Sequence, residues 1–453
     1  MSSEVNIEEL SEKLIAYFES GEIDNVKAIL ESMDISYIPD LLKRLDPQFR
    51  PLIAHFLSNE SISKFIDKLE DEILLDFVKG IPPSRLVRIA SELPADELAD
   101  LLIKLPPSTK RLLYRELPYW KIEEVKPLLE YPPETAGGLM TNQIPIFHKD
   151  RKVGEALEEF TLTLKFHRYD TSNYLYVVDG KGDFLGWAKV TEAITVPRNK
   201  TLNEVIKKPP TVLPDTDQEE VAKLVARYDL EEIPVVDKKG RLLGAITSDD
   251  VIDVIISEAS EDIIKFGGTV ELEHSYLVAK ISDLIKSRAI WIILLYILES
   301  LTANVLKFFE GELTKVVALS FFIPLLIDSG GNVGSQSATL VIRALALGEL
   351  TTKDFIKVLF RESLTALGLG ALLSPIAFGI AYTVSWDVRI SVVVALSIIA
   401  VVFLSSLTGG FLPFLARALK LDPAIISAPL ITTLSDILGL TLYFVLAMLV
   451  LGL

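Results

Sequence analysis

The sequence predicts a multidomain chain: an all-α N-terminal solenoid, an α+β repeated segment, an acidic connecting helix, and an all-α polytopic membrane domain with five transmembrane helices. Three observations carry this. Charge is segregated, because of 45 basic and 62 acidic residues only nine and ten lie beyond residue 288, although half the chain is hydrophobic. Proline recurs every twelve residues, at 82, 94, 106 and 118, each after Leu or Ile. The stretch YVVDGKGDFLG (176–186) returns 58 residues later as PVVDKKGRLLG (234–244).

Over 1–130 the amphipathic runs between prolines read as helices of about eight residues joined by Pro turns, which stack into a small solenoid. Such a cap suits docking rather than chemistry. YPPETAGG (131–138) reads as a linker. Each copy of the repeat reads as strand, turn and strand between amphipathic helices, VGEALEEF and VTEAI in the first copy, QEEVAKLVARYDL and SDDVIDVI in the second. This pattern resembles tandem CBS domains, at 139–200 and 201–258. The second copy keeps Gly244, Thr247 and Asp250, where nucleotide-binding CBS domains contact a ribose, so the resemblance implies an ATP site at Thr247 and Asp250. The first copy has Lys189 and Glu192 instead, and one site at most is expected.

A carboxylate run leads into the connecting, plug-like region at 259–288: Asp249, Asp250, Asp253, Glu258, Glu261 and Asp262, at helical spacing. Like-charge neighbours on a helix cost a few tenths of a kcal/mol per pair, so something cationic offsets them. Either the face is solvated with counterions, or it is a divalent-ion sensor joined by Glu219, Glu220 and Asp229.

The net charge of −17, about −16 of it before residue 289, repels nucleic acid and anionic headgroups and favours polyvalent cations. With no cysteine, and all four histidines before residue 289, a metal at membrane depth must use oxygen ligands, which suits Mg²⁺ or Ca²⁺ better than Zn²⁺ or Cu²⁺. No metalloprotease, serine-elbow or phosphate-loop motif argues for an enzyme. The start, MSSEVNIEELSEKL, lacks the basic and apolar regions of a signal peptide.

Five apolar stretches follow, at 289–309, 314–347, 358–384, 390–416 and 424–452. With the N-terminal part inside, nine basic residues flank the inner ends and three, Lys307, Lys315 and Arg389, the outer ends. This predicts cytoplasmic N-terminal domains and an outward C-terminus in a multi-pass cell-membrane protein. In the second stretch the apolar run 316–327 is about 18 Å long at helical rise. A span broken near its middle is therefore expected, with Pro324, Gly330, Gly331 and Gly334 permitting the break and Asn332, Ser335, Gln336 and Ser337 supplying oxygens. In the last stretch Thr432, Asp436 and Gly439 share a face, with Thr433 nearby. Asp436 reads as the one mid-membrane acid. Ionised it costs about 2.5–3.5 kcal/mol on insertion scales, and no basic residue lies at its depth. Two chains about a twofold axis would bring two copies of Asp436 together, unfavourable when empty and favourable with a divalent ion between them. Mg²⁺ dehydrates reluctantly, so such an ion would be held through water.

The order of parts, with GGNVGSQSATLVIRALALGEL and DPAIISAPLITTLSDILGL in the membrane segment, resembles the MgtE family of magnesium channels and transporters along the whole chain. The resemblance implies a homodimeric, Mg²⁺-selective channel in the lipid bilayer, its pore at the dimer axis between the second and fifth spans. Asn332 and Asp436 match the pore positions, Thr432 shares the Asp436 face, and Asp422 matches the cytoplasmic mouth. It also implies closure by Mg²⁺ bound to cytosolic carboxylates, here Glu219, Asp229, Asp250, Asp253, Glu258 and Glu261, with Asp96 and Asp100 of the solenoid as further candidates. The alternative is a membrane-anchored CBS sensor of cations or nucleotides that transports nothing.

Overall fold

Each proline of the twelve-residue series stands immediately before a helix in the structure, a computed structural model that describes residues 6–165, 169–272, 276 and 279–452. Pro82, Pro94, Pro106 and Pro118 precede Pro83–Glu92, Ala95–Lys104 (α1), Pro107–Glu116 and Tyr119–Val125. A helix start needs no N–H from the residue that caps it, and proline's fixed φ favours this position. The residue before each of the last three prolines is a leucine with extended backbone that ends the preceding helix, as the clash with the proline ring requires. Leu93, Leu105 and Leu117 are also buried, so each stop signal is a core residue as well.

The chain divides into two units, Met1–Glu258 with Glu273–Ala279, and Ala259–Leu272 with Lys280–Leu453. In the first, β1 (Ile146–His148) pairs parallel with β2 (Tyr174–Val178) after helix α2 (Val153–Leu164), and β2 pairs antiparallel with β3 (Phe184–Lys189). In the second copy helix α3 (Gln218–Tyr228) precedes the antiparallel pair β4 (Glu232–Val236) and β5 (Leu242–Thr247). Helix α4 (Ser248–Phe266) follows directly. The two copies meet through their turns, where Phe184 N–H donates to Gly240 O at 2.9 Å and Leu242 N–H to Gly182 O at 3.2 Å. The second copy shares one hydrophobic core with the N-terminal helices, through Val221, Ile233, Val235, Ile246 and Val251. The first copy keeps a separate core around Phe147, Phe160, Leu175 and Val177.

Among the described residues the second unit contains five helices long and apolar enough to cross a membrane: α5 (Ile281–Phe308), α6 (Ile323–Ala346), α7 (Phe355–Ser385), α8 (Val388–Ala418) and α9 (Ala428–Leu451). Helix α8 is central, packing on α6, α7 and α9, whereas α5 packs on α9 and leaves Ile290, Ile292, Ile293, Tyr296 and Ile297 exposed.

The expected break in the second span is not where the glycines are. Helix α6 runs unbroken through Gly330, Gly331 and Gly334, and the irregular part is a 3₁₀ turn at Val317–Phe322, ended where Pro324 enters the first turn of α6. The glycines let helices approach instead. A Cβ at Gly330 would lie 2.8 Å from Val401 of α8, and one at Gly331 2.7 Å from Thr432 of α9. The backbones of Gly334 and Gly409 pack so closely that a Cβ on Gly409 would overlap the Gly334 carbonyl oxygen. Small residues at such crossings are how helices gain contact in lipid. Gly409→Ala is therefore expected to destabilise the membrane unit by about 1–3 kcal/mol, read as a lower midpoint of thermal unfolding in detergent.

Candidate functional site

The break was expected to supply polar groups, and α6 supplies them by helical geometry alone. Asp328, Asn332, Gln336, Thr339 and Arg343 recur at steps of three or four and are all exposed on one side of α6, a polar stripe on a helix otherwise suited to lipid. The Asn332 amide donates to Asp328 Oδ2 at 3.3 Å. On α9, Asp436 is buried, 6% exposed, and its Oδ1 has no hydrogen-bond partner among the described residues. The charges acting on it are those of Glu299 on α5 and Asp328 on α6. A buried carboxylate oxygen without a donor is costly unless a cation completes it. Thr432, grouped with Asp436 in the sequence, packs its methyl on Gly331 and donates its hydroxyl to Ala428 O at 3.1 Å.

Asp436 is also not the one mid-membrane acid. Glu299 and Asp328 lie in spans as well, and Glu362 of α7 accepts the hydroxyls of Ser337 and Ser406, both at 2.7 Å. The signal for all three was available, since any carboxylate inside an apolar run is conspicuous.

Asp422 stands at the base of α9. Its Oδ1 accepts from Ala424 N–H at 2.8 Å, while Oδ2 takes Lys265 Nζ at 2.8 Å. Lys265 also pairs with Glu261 at 2.5 Å, so two of the predicted carboxylates share one ammonium. Just beyond, Gly268 at φ +68° lies so close under the Trp291 ring that no side chain fits there, and Trp291 donates to Ser427 Oγ at 2.9 Å. The chain that leaves α4 is thereby fastened to α5 and to the start of α9.

In the first unit, Asp96, Glu97 and Asp100 of α1 face Asp249, Asp250 and Asp253 of α4 across a cleft of about 620 Å³, with Asp67 on its wall and Lys68 and Lys104 as its two cations. Lys104 is engaged by the Asp67 and Leu69 carbonyl oxygens, at 2.6 and 3.2 Å. Lys68 pairs with Asp253 at 3.5 Å. Burial, then the charges of Asp170 and Asp250, push Asp96 up to about 8. Burial and the charges of Asp67 and Asp96 take Glu97 to about 9. Asp100 and Asp250 rise to about 6, mainly by burial. Asp67 Oδ1 and Asp96 Oδ1 are buried without hydrogen-bond partners among the described residues.

The cleft thus gathers Asp96, Asp100, Asp250 and Asp253 of the predicted set and adds Asp67, Glu97, Glu134 and Asp249. The remaining candidates lie elsewhere: Glu219 pairs with Lys223 at 2.7 Å, Asp229 caps α3 in the left-handed region at φ 48°, and Glu258 accepts from Gln218 at 2.6 Å. Thr247 donates to Asp250 Oδ2 at 2.5 Å. Among the described residues no three His, Cys, Asp or Glu side chains converge on one point to chelate a metal. Carboxylates surrounding a space in this way suit a hydrated divalent cation better than a bare one.

Comparison with known proteins adds the following. A family model described as "Divalent cation transporter" (MgtE) matches residues 323–446, one described as "MgtE intracellular N domain" matches 33–134, and a CBS domain model matches 202–257. The Thermus thermophilus protein named "Magnesium transporter MgtE" is 36% identical over 98% of this chain and 99% of its own length. A Bacillus subtilis protein of the same name is 30% identical over 98% of each. Among solved structures, the cytosolic domain of the Mg²⁺ channel MgtE in complex with ATP aligns at a TM-score of 0.49 and 32% identity, over 54% of this chain and 99% of that one.

Proposed function

The chain belongs to the MgtE family of magnesium transporters, a multi-pass membrane family rather than an enzyme class, and from that premise we propose that it conducts Mg²⁺ passively into the cytoplasm as a homodimer, closing when Mg²⁺ fills its acidic cleft. The observation that carries the reading is Asp436: a buried carboxylate with an oxygen unpaired among the described residues, on a helix packed against α6, which carries the exposed polar stripe. A lone anchor would need neither. Exposure of Asp328, Asn332 and Gln336 in the single chain supports a second copy or water against them, since lipid would penalise each.

Closure follows from charge. Eight carboxylates, counting Glu134, against two ammonium groups repel one another across the cleft, and Mg²⁺ reverses that sign. In this reading the first unit lies in the cytoplasm and senses Mg²⁺ there. Lys265 holds the end of α4 on Asp422, a built-in cation at the inner mouth. Lys265→Met is accordingly expected to raise, severalfold, the internal Mg²⁺ at which uptake stops.

The deciding experiment is Mg²⁺ uptake into proteoliposomes containing a Mg²⁺ indicator. Influx driven by the Mg²⁺ gradient alone, and falling as internal Mg²⁺ rises, is the expected result; binding of Mg²⁺ without influx would favour the non-transporting sensor. A nucleotide at the second CBS domain is a secondary reading, favoured by the Thr247–Asp250 pair at the end of β5. Calorimetric titration with ATP, compared with Asp250→Asn, tests it.

A further inference from the structure

Two contacts fix the registers of α5 and α6 on α9. Trp291 of α5 bonds Ser427 at the start of α9. The two helices run in the same chain direction away from that contact, so eight residues further along each bring Glu299 level with Ser435, next to Asp436. Gly331 of α6 abuts Thr432 of α9 in an antiparallel crossing. One turn back on α6 and one turn forward on α9 then bring Asp328 level with Asp436. Three carboxylates from three helices therefore share one depth, and Glu299 and Asp328 are both exposed there. Among the described residues neither forms an ion pair with a basic side chain, and Asp328 accepts from the Asn332 amide. The buried Oδ1 of Asp436, without a partner among the described residues, lies at that same level.

We propose that Glu299 and Asp328 complete an acidic belt around Asp436 that draws hydrated divalent cations to the pathway and discriminates against monovalent ones. The proposal rests on the pathway reading above and extends it to two residues on different helices. Its physics is long-range. A carboxylate acting through the water shell of an ion attracts a divalent charge twice as strongly as a monovalent one, so its removal changes divalent occupancy by the square of the monovalent factor. Direct chelation is not required, in keeping with the absence of a three-ligand cluster among the described residues.

The test is uptake by the full-length protein in proteoliposomes as external Mg²⁺ is varied, with K⁺ permeation measured in parallel. Asp328→Asn and Glu299→Gln are each expected to raise half-saturating Mg²⁺ on the order of fivefold while weakening K⁺ permeation only about twofold. The Mg²⁺ effect should shrink at high ionic strength, and Asp328→Glu should restore it. A packing defect would instead lower maximal uptake of both ions alike. Unchanged half-saturation in both single variants and the double variant, with Asp436→Asn still inactive, would overturn the belt and leave the pathway standing. Full uptake by Asp436→Asn would remove the pathway itself.

Discussion

Asp436→Asn is expected to reduce Mg²⁺ uptake into proteoliposomes to the level of empty vesicles, with the protein still folded. The substitution keeps shape and removes charge, so the two consequences separate. Asp436 Oδ1 has no donor among the described residues, and the charges of Glu299 and Asp328 repel rather than pair it. In the empty protein its negative charge is therefore a burden, and neutralising it is expected to leave thermal stability unchanged or raise it. A residue kept for packing would behave in the opposite way, with lost stability and retained uptake. Function and stability moving in opposite directions is the signature of a carboxylate placed for an ion rather than for the fold.

The second large effect is the pH dependence of the cleft. In Mg²⁺-free protein, Asp96 is raised to about 8 and Glu97 to about 9, first by burial and then by neighbouring carboxylates. For groups whose folded pKa lies above the unfolded one, the folded state binds more protons, so stability falls as pH rises. No penalty exists below the ordinary carboxylate range near 4. It grows as pH climbs from there and is complete above about 9. Without Mg²⁺ the thermal midpoint of the first unit should therefore drop between pH 5 and pH 9, by roughly 5–10 °C for a unit of this size. Millimolar Mg²⁺ should recover most of that loss at pH 8.5 and almost none at pH 5, where protons already hold the oxygens. Asp96→Asn combined with Glu97→Gln should flatten both dependences. Thermal unfolding of the full-length protein followed by tryptophan fluorescence checks all three statements, and a midpoint independent of pH would contradict the cleft's assigned electrostatics.

Much of this architecture was legible because it follows from local chemistry. The prolines at 82, 94, 106 and 118 mark helix starts wherever the chain is placed, and the repeat at 176–186 and 234–244 needs only its two short apolar runs about a turn to declare strands. The five spans follow from apolar length. What misled was the glycine-rich motif, because the same residues serve a broken helix and a tightly crossed one. Only the partners decide: Val401 and Thr432 face the glycines of an intact α6. The cleft was half legible. Asp250 and Asp253 stand out as a run, but Asp67 in a turn and Glu97 on an amphipathic helix are ordinary acids until α1 is set opposite α4. Glu362 escaped for a similar reason, since its two serine partners lie on different helices.

The separate core of the first CBS copy carries a consequence for mutational tolerance. Phe147, Phe160, Leu175 and Val177 pack among themselves, whereas the second copy is built into the same core as the solenoid. Damage to the second copy's core therefore propagates to α1 and the cleft, while damage to the core of the first reaches the other copy through the Tyr174–Trp187 stack and the Tyr176 hydroxyl that donates to Glu232. Two segments that began as equivalent strand–turn–strand modules are in this way mechanically unequal. One is built into the wall of the acidic cleft, and the other folds around a core of its own.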